Sequence, residues 1–106
     1  MRFELREYLV GGKSRFARWF SRLRPIPAAR VDKYLRRMAQ GNFGDSKSVG
    51  DGVQELRIDY GPGYRVYYGR DGETLVILLA GGTKRSQPQD IAEAKRLWMR
   101  YRKERL

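Results

Sequence analysis

Glu55, Arg57, Arg65, Lys47 and Lys84 gather around a tight turn, and their spacing puts both signs of charge on one surface. Glu55, Arg57 and Asp59 alternate along a strand-forming run from Val53 to Tyr60, so they share one face of it. Arg65 returns beside them after Gly61-Pro62-Gly63, with Lys47 ahead of the run and Lys84 behind the following strand. Cations outnumber the carboxylates available to neutralise them, and a phosphate would make up the difference. Arg and Lys at such a place stabilise negative charge building on phosphorus. Tyr67 shares a strand face with Arg65, which suits stacking on an unpaired base. The same alternation also fits an ordinary half-solvated antiparallel sheet with opposite charges paired across strands.

Composition narrows the partners. The chain has 106 residues, enough for one domain, 1–106, with a single modest core. Its 23 Lys and Arg against 12 Asp and Glu give a net charge of +11, which repels itself unless a polyanion or acidic partner answers it. At 41% hydrophobic residues it is too apolar for a disordered basic tail. Cys and His are both absent, which removes disulfides, thiolate catalysis, Cys-ligated zinc and the usual general base. The Asp and Glu are scattered rather than clustered as magnesium requires, so neither metal nor cofactor is expected. No apolar run approaches the roughly 20 residues of a membrane span, and no signal-peptide core follows the start. A soluble cytoplasmic protein with no membrane partner is expected.

Periodicity supplies the elements that must carry these residues. Phe3 to Val10 alternates as a first strand, and Gly11-Gly12 ends it. Ser14 is placed to cap a helix carrying Phe16, Trp19, Phe20 and Leu23, which Pro25 and Pro27 break. A second helix is expected from about Ala28, with Val31, Tyr34, Leu35 and Met38 on one face and Gly41 as its stop. Lys47 and Val49 open a short strand in a Gly- and Ser-rich loop. Then come strands from Val53 and from Tyr64, and an apolar run from Leu75 to Ala80 expected at the centre of the sheet. Gly81-Gly82 is expected to end that strand, and a last helix near Pro88 buries Ile91, Ala94, Leu97, Trp98 and Tyr101. The order is β-α-α-β-β-β-α. This is an α+β fold: a small, mostly antiparallel sheet with an αα-hairpin and a C-terminal helix.

Two further stretches bear on anion binding. Gly81 to Ser86 precedes a helix, where backbone N–H groups can hold phosphate, although its spacing is not that of a P-loop and a capped turn also explains it. The run from Lys95 to Arg105 can follow a nucleic-acid backbone, with Lys95, Arg102 and, before the helix, Arg85 as RNA-binding candidates. It equally suits the dipole of a solvated helix end. Trp19, Phe20 and Trp98 are expected in the core.

Several blocks in order resemble the RelE/ParE toxin superfamily, and within it the HigB-like addiction module killer protein branch. They are Gly41-Asn42-Phe43-Gly44-Asp45, Lys47, Val49-Gly50, Gly52-Val53, Glu55 to Ile58 and Gly61 to Tyr68, then Gly81 to Lys84, Gln87, Asp90-Ile91 and Ala94-Lys95. The resemblance runs from about Phe3 to Tyr101. It implies a RelE-like fold and the toxin of a type II toxin–antitoxin pair, a metal-independent endoribonuclease cutting mRNA on the ribosome. A cognate antitoxin silences such a toxin; in this branch it is usually a helix-turn-helix DNA-binding protein, and a heterotetramer with it is a possible assembly. Arg65 falls on the family's strand arginine, Arg57 corresponds to a lysine of the preceding strand, and Lys84 lies near the basic residue after the last strand. The tyrosine that RelE uses shortly beyond is replaced by Gln87-Pro88-Gln89-Asp90, and the histidine of other members is missing.

On that resemblance Arg65 and Lys84 stabilise the phosphorane, Glu55 is the candidate general base with Lys47 in reserve, and no general acid is assigned. Arg57 beside Glu55 is expected to lower its pKa. A ParE-like poison of DNA gyrase and a non-catalytic nucleic-acid-binding module are the alternatives.

Overall fold

A computed structural model describes residues 2–105. Five strands form one sheet in the order β1-β7-β6-β5-β4. These are β1 (Glu4–Glu7), β4 (Asp45–Gly50), β5 (Val53–Ile58), β6 (Tyr64–Asp71) and β7 (Leu75–Thr83). β1 runs parallel to β7, and every other pairing is antiparallel. β2 (Leu9–Val10) and β3 (Lys13–Ser14) form a separate small hairpin. The α+β architecture expected from periodicity is therefore present, with this hairpin added. The short strand expected around Lys47 and Val49 is a full edge strand.

Three helices complete the described residues: α1 (Arg15–Phe20), α2 (Pro25–Ala39) and α3 (Gln87–Glu104). Ser14 Oγ accepts from the Ala17 N–H at 2.9 Å, the cap the sequence indicated. α1 ends sooner than its apolar spacing suggests, because Arg22 and Leu23 bond back only three residues, to Trp19 and Phe20. Pro25 begins α2 rather than preceding it, since a proline in the first turn of a helix gives up no intrahelical bond.

Alternation along the strands feeds two cores, one on each face of the sheet. Leu56, Ile58, Val66, Tyr68, Val76 and Leu78 pack with Phe16, Val31 and Met38 from α1 and α2. Val53, Tyr67, Ile77, Leu79 and Ala80 pack on the other face with Ala94 and Trp98 of α3. β6, not β7, holds the middle of the sheet, although β7 is equally buried from Val76 to Ala80. Tyr67 pairs with Ala80 but Tyr68 with Leu78, so Leu79 is the extra residue of a bulge. The bulge turns Leu79 and Ala80 to the same core and reconciles an apolar run with two different faces.

Gly81 and Gly82 do not end β7. They continue it to Thr83, and a Cβ on either would collide with a helix side chain, Trp19 above Gly81 and Asp90 above Gly82. The Gly-rich phosphate turn expected at this point is thus strand, followed by a 3₁₀ turn over Lys84–Ser86. No helix among the described residues is long and apolar enough to cross a membrane.

Candidate functional site

Strand register assembles the site in two rungs. Lys47, Glu55, Tyr67 and Ala80 face one another across β4, β5, β6 and β7. One rung closer to the β5–β6 turn stand Asp45, Arg57, Arg65 and Gly82. Both rungs lie on the α3 face of the sheet, at the end where α3 begins. The turn is built by glycines at positive φ, Gly61 at 56° and Gly63 at 82°, with Gly63 N–H closing onto Tyr60 O at 3.1 Å. The Lys84 N–H donates to Gly63 O at 2.8 Å, which ties the end of β7 to this turn. That bond brings Lys84 beside Arg65: a Cβ built on Gly63 would lie 3.6 Å from Lys84 Cβ and 3.9 Å from Arg65 Nη1.

Beneath the cations lies a fully buried carboxylate. Glu55 Oε1 accepts from Arg57 Nε at 3.1 Å, while Oε2 accepts from the Tyr67 hydroxyl at 3.0 Å and from Gln87 Nε2 at 2.7 Å. Burial alone would raise its pKa. The hydrogen bonds from Gln87, Arg57 and Tyr67, with the charge of Arg65, outweigh that and hold it below the ordinary carboxylate value. The same burial, next to the Glu55 anion, pushes the Tyr67 hydroxyl well above its ordinary range, so it stays a neutral donor. Arg65 is half-buried, and its Nε is enclosed without a hydrogen-bond partner.

These positions change several roles expected from the sequence. Glu55, expected as a general base, has both oxygens engaged inside the protein and no exposed side from which to take a proton. It can hold Arg57 in place instead. Tyr67, expected to stack on a base, is fully buried with its hydroxyl turned to Glu55. A ring so enclosed offers no face to RNA. Arg57 stays one-third exposed, and Lys84 and Lys47 are exposed. Arg85 is exposed in the 3₁₀ turn just ahead of α3.

Lys95 and Arg102 do not join this group. At 1.5 Å per residue they lie roughly 12 and 22 Å along α3 from Gln87. Lys95 is paired with Asp51 at 3.7 Å, and Arg102 lies beside Trp98 with Lys103. Gln87 is the functional residue that sequence reasoning passed over. By sequence it matches the family pattern, can open the last helix and begins the stretch that replaces a tyrosine, yet as the first residue of α3 it also closes the Glu55 cage. The one signal was its position, a polar residue opening a helix whose next apolar residues pack on the sheet.

The family described as Phage derived protein Gp49-like (DUF891) matches residues 18–100, which include both rungs and the start of α3. An uncharacterised protein of Haemophilus influenzae is 51% identical over 83 residues, covering 77% of this chain and 84% of its own length. The chain belongs to the phage-derived Gp49-like family, a toxin-like family of RelE/HigB type.

Proposed function

We propose that this chain is the toxin of a type II toxin–antitoxin pair and cleaves mRNA on the ribosome in the cytoplasm, silenced by a helix-turn-helix antitoxin with which it forms a heterotetramer. The supporting observation is the Arg57–Arg65 rung with Lys84 tied beside it. Three cations converge there, and the one carboxylate that bonds any of them, among the described residues, is the buried Glu55.

Cleavage by the 2′-hydroxyl needs that oxygen activated, the phosphorane charge neutralised and the departing 5′-oxygen protonated. Arg65 and Arg57 serve the second need directly. Arg57 is fixed by its bond to Glu55 and Arg65 by partial burial before substrate arrives, and preorganised donors are each worth several kcal/mol of barrier. Glu55 keeps Arg57 from turning into solvent, and Tyr67 and Gln87 keep Glu55 ionised beneath it. Lys47 and Lys84 are the exposed cations of the cluster, open to an incoming phosphate backbone. Positioning of the 2′-hydroxyl in line with the scissile bond falls to the ribosome, and such alignment can replace much of what a strong base would contribute.

Inducing the protein and following translation and replication separately tests the proposal. Early loss of translation with cut mRNA supports it, whereas early loss of replication with translation intact points to a gyrase poison.

A further inference from the structure

A groove of about 820 Å³ runs between the β2–β3 hairpin with α1 on one side and the flank of α3 on the other, away from the two rungs. Its floor is apolar: Val10 from the hairpin, Ala17 from α1 and Leu97 from α3. Lys13 and Arg18 stand on its rim, both exposed and in no ion pair among the described residues. Glu93, the acidic residue of the lining, is already engaged by Arg15 at 3.5 Å and by Arg96. Arg100 on the far rim holds Glu104 at 3.4 Å. The groove therefore offers an apolar floor and a rim of uncompensated positive charge.

We propose that this groove docks an acidic amphipathic segment of a partner protein, its apolar face on Val10 and Leu97 and its carboxylates against Lys13 and Arg18. The floor is what favours a polypeptide over RNA. A sugar–phosphate backbone would satisfy the rim and leave the apolar residues wet, while an amphipathic helix covers both at once. Charge complementarity supplies the specificity and the fast encounter. The inference does not depend on mRNA cleavage, because binding alone is scored in its test.

The test uses the full chain and three fluorescent probes at fixed physiological salt. One is an acidic peptide of about five helical turns with leucines at i, i+3, i+4 and i+7 and glutamates elsewhere. The second is the same composition scrambled to remove the apolar face, and the third is a single-stranded RNA. The amphipathic peptide is expected to bind at least about tenfold more tightly than the scrambled one, and the double variant Lys13→Glu/Arg18→Glu to lose about as much. Leu97→Ala should weaken the amphipathic peptide and leave the scrambled one unchanged. RNA binding should change little in the double variant. Equal binding of both peptides, or no loss in the rim variant, overturns the proposal. An RNA affinity that falls as far as the peptide's does so too, by making the groove a nucleic-acid surface.

Discussion

Arg65 stands directly opposite Arg57 on the neighbouring strand, so two like charges share one face of the sheet. Like charges set directly opposite each other on a sheet destabilise it. Glu55 relieves part of this from below, bonding Arg57 and acting on Arg65 through space. An anion between the two guanidinium groups would relieve the rest.

Inorganic phosphate should therefore stabilise the protein. Matched chloride and phosphate melts are expected to show a higher Tm in phosphate, by roughly 4–8 °C per kcal/mol of linked binding for a domain of this size. Phosphate also strengthens burial in general, so the comparison that matters is with Arg65→Ala. The gain should be smaller in the variant; equal gains would place the anion elsewhere or nowhere.

Removing a donor from the Glu55 cage should cost stability even though no charge is lost. Tyr67→Phe and Gln87→Ala each leave a buried carboxylate oxygen short of a partner, at a cost of about 1–3 kcal/mol by urea unfolding. The two changes act on the same oxygen, so their sum should depart from the double variant. Strict additivity would show that the cage does not act as a unit.

Acid should weaken the fold through Glu55. Its folded pKa lies below the ordinary value of 4.5, so the unfolded chain takes up that proton first as pH falls. The stabilisation is complete above about pH 4.5 and is lost as pH drops through the lower folded value. Asp71 acts in the same direction, held low mainly by the Tyr101 hydroxyl at 2.5 Å and also by Arg105. Glu55→Gln should make the acid limb of stability against pH shallower without flattening it. An unchanged limb would mean that the carboxylate is not the anion described.

Helix packing on the strands depends on missing side chains. A Cβ at Gly69 would come within 2.5 Å of the Trp98 ring, and one at Gly81 would meet the Trp19 ring. Gly69→Ala and Gly81→Ala should each destabilise by about 1–3 kcal/mol, as overpacking does, and lower the Tm accordingly. A neutral effect of both would show that α1 and α3 shift freely over the sheet.

The elements were legible where one local rule governed them: Ser14 as a cap, period-two alternation in β5 and β6, and the apolar face of α3. That alternation also placed Glu55, Arg57, Arg65 and Tyr67 on a common face, because side-chain direction on a strand is fixed by position alone. It could not say that α3 lies over half of that face. Glu55 and Tyr67 thereby became buried structure, while Arg57 and Arg65, one rung further on, stayed within reach of solvent. Gly81-Gly82 failed for a related reason. Their lack of side chains answers Trp19, far back in the chain, and Asp90 on α3, which folds back over the strand, and local sequence presents the same pair as a turn. Gln87 was hidden because its partner lies 32 residues earlier.

The central claim is that the Arg57–Arg65 rung holds a scissile phosphate. Mapping mRNA ends after induction of the wild-type chain and of Arg65→Ala, with circular dichroism to establish that both fold, tests it most directly. The wild type should produce new internal mRNA ends on translated messages, and Arg65→Ala should lower their yield by about 10²-fold or more. A folded Arg65→Ala variant that cuts at the wild-type rate would contradict the claim.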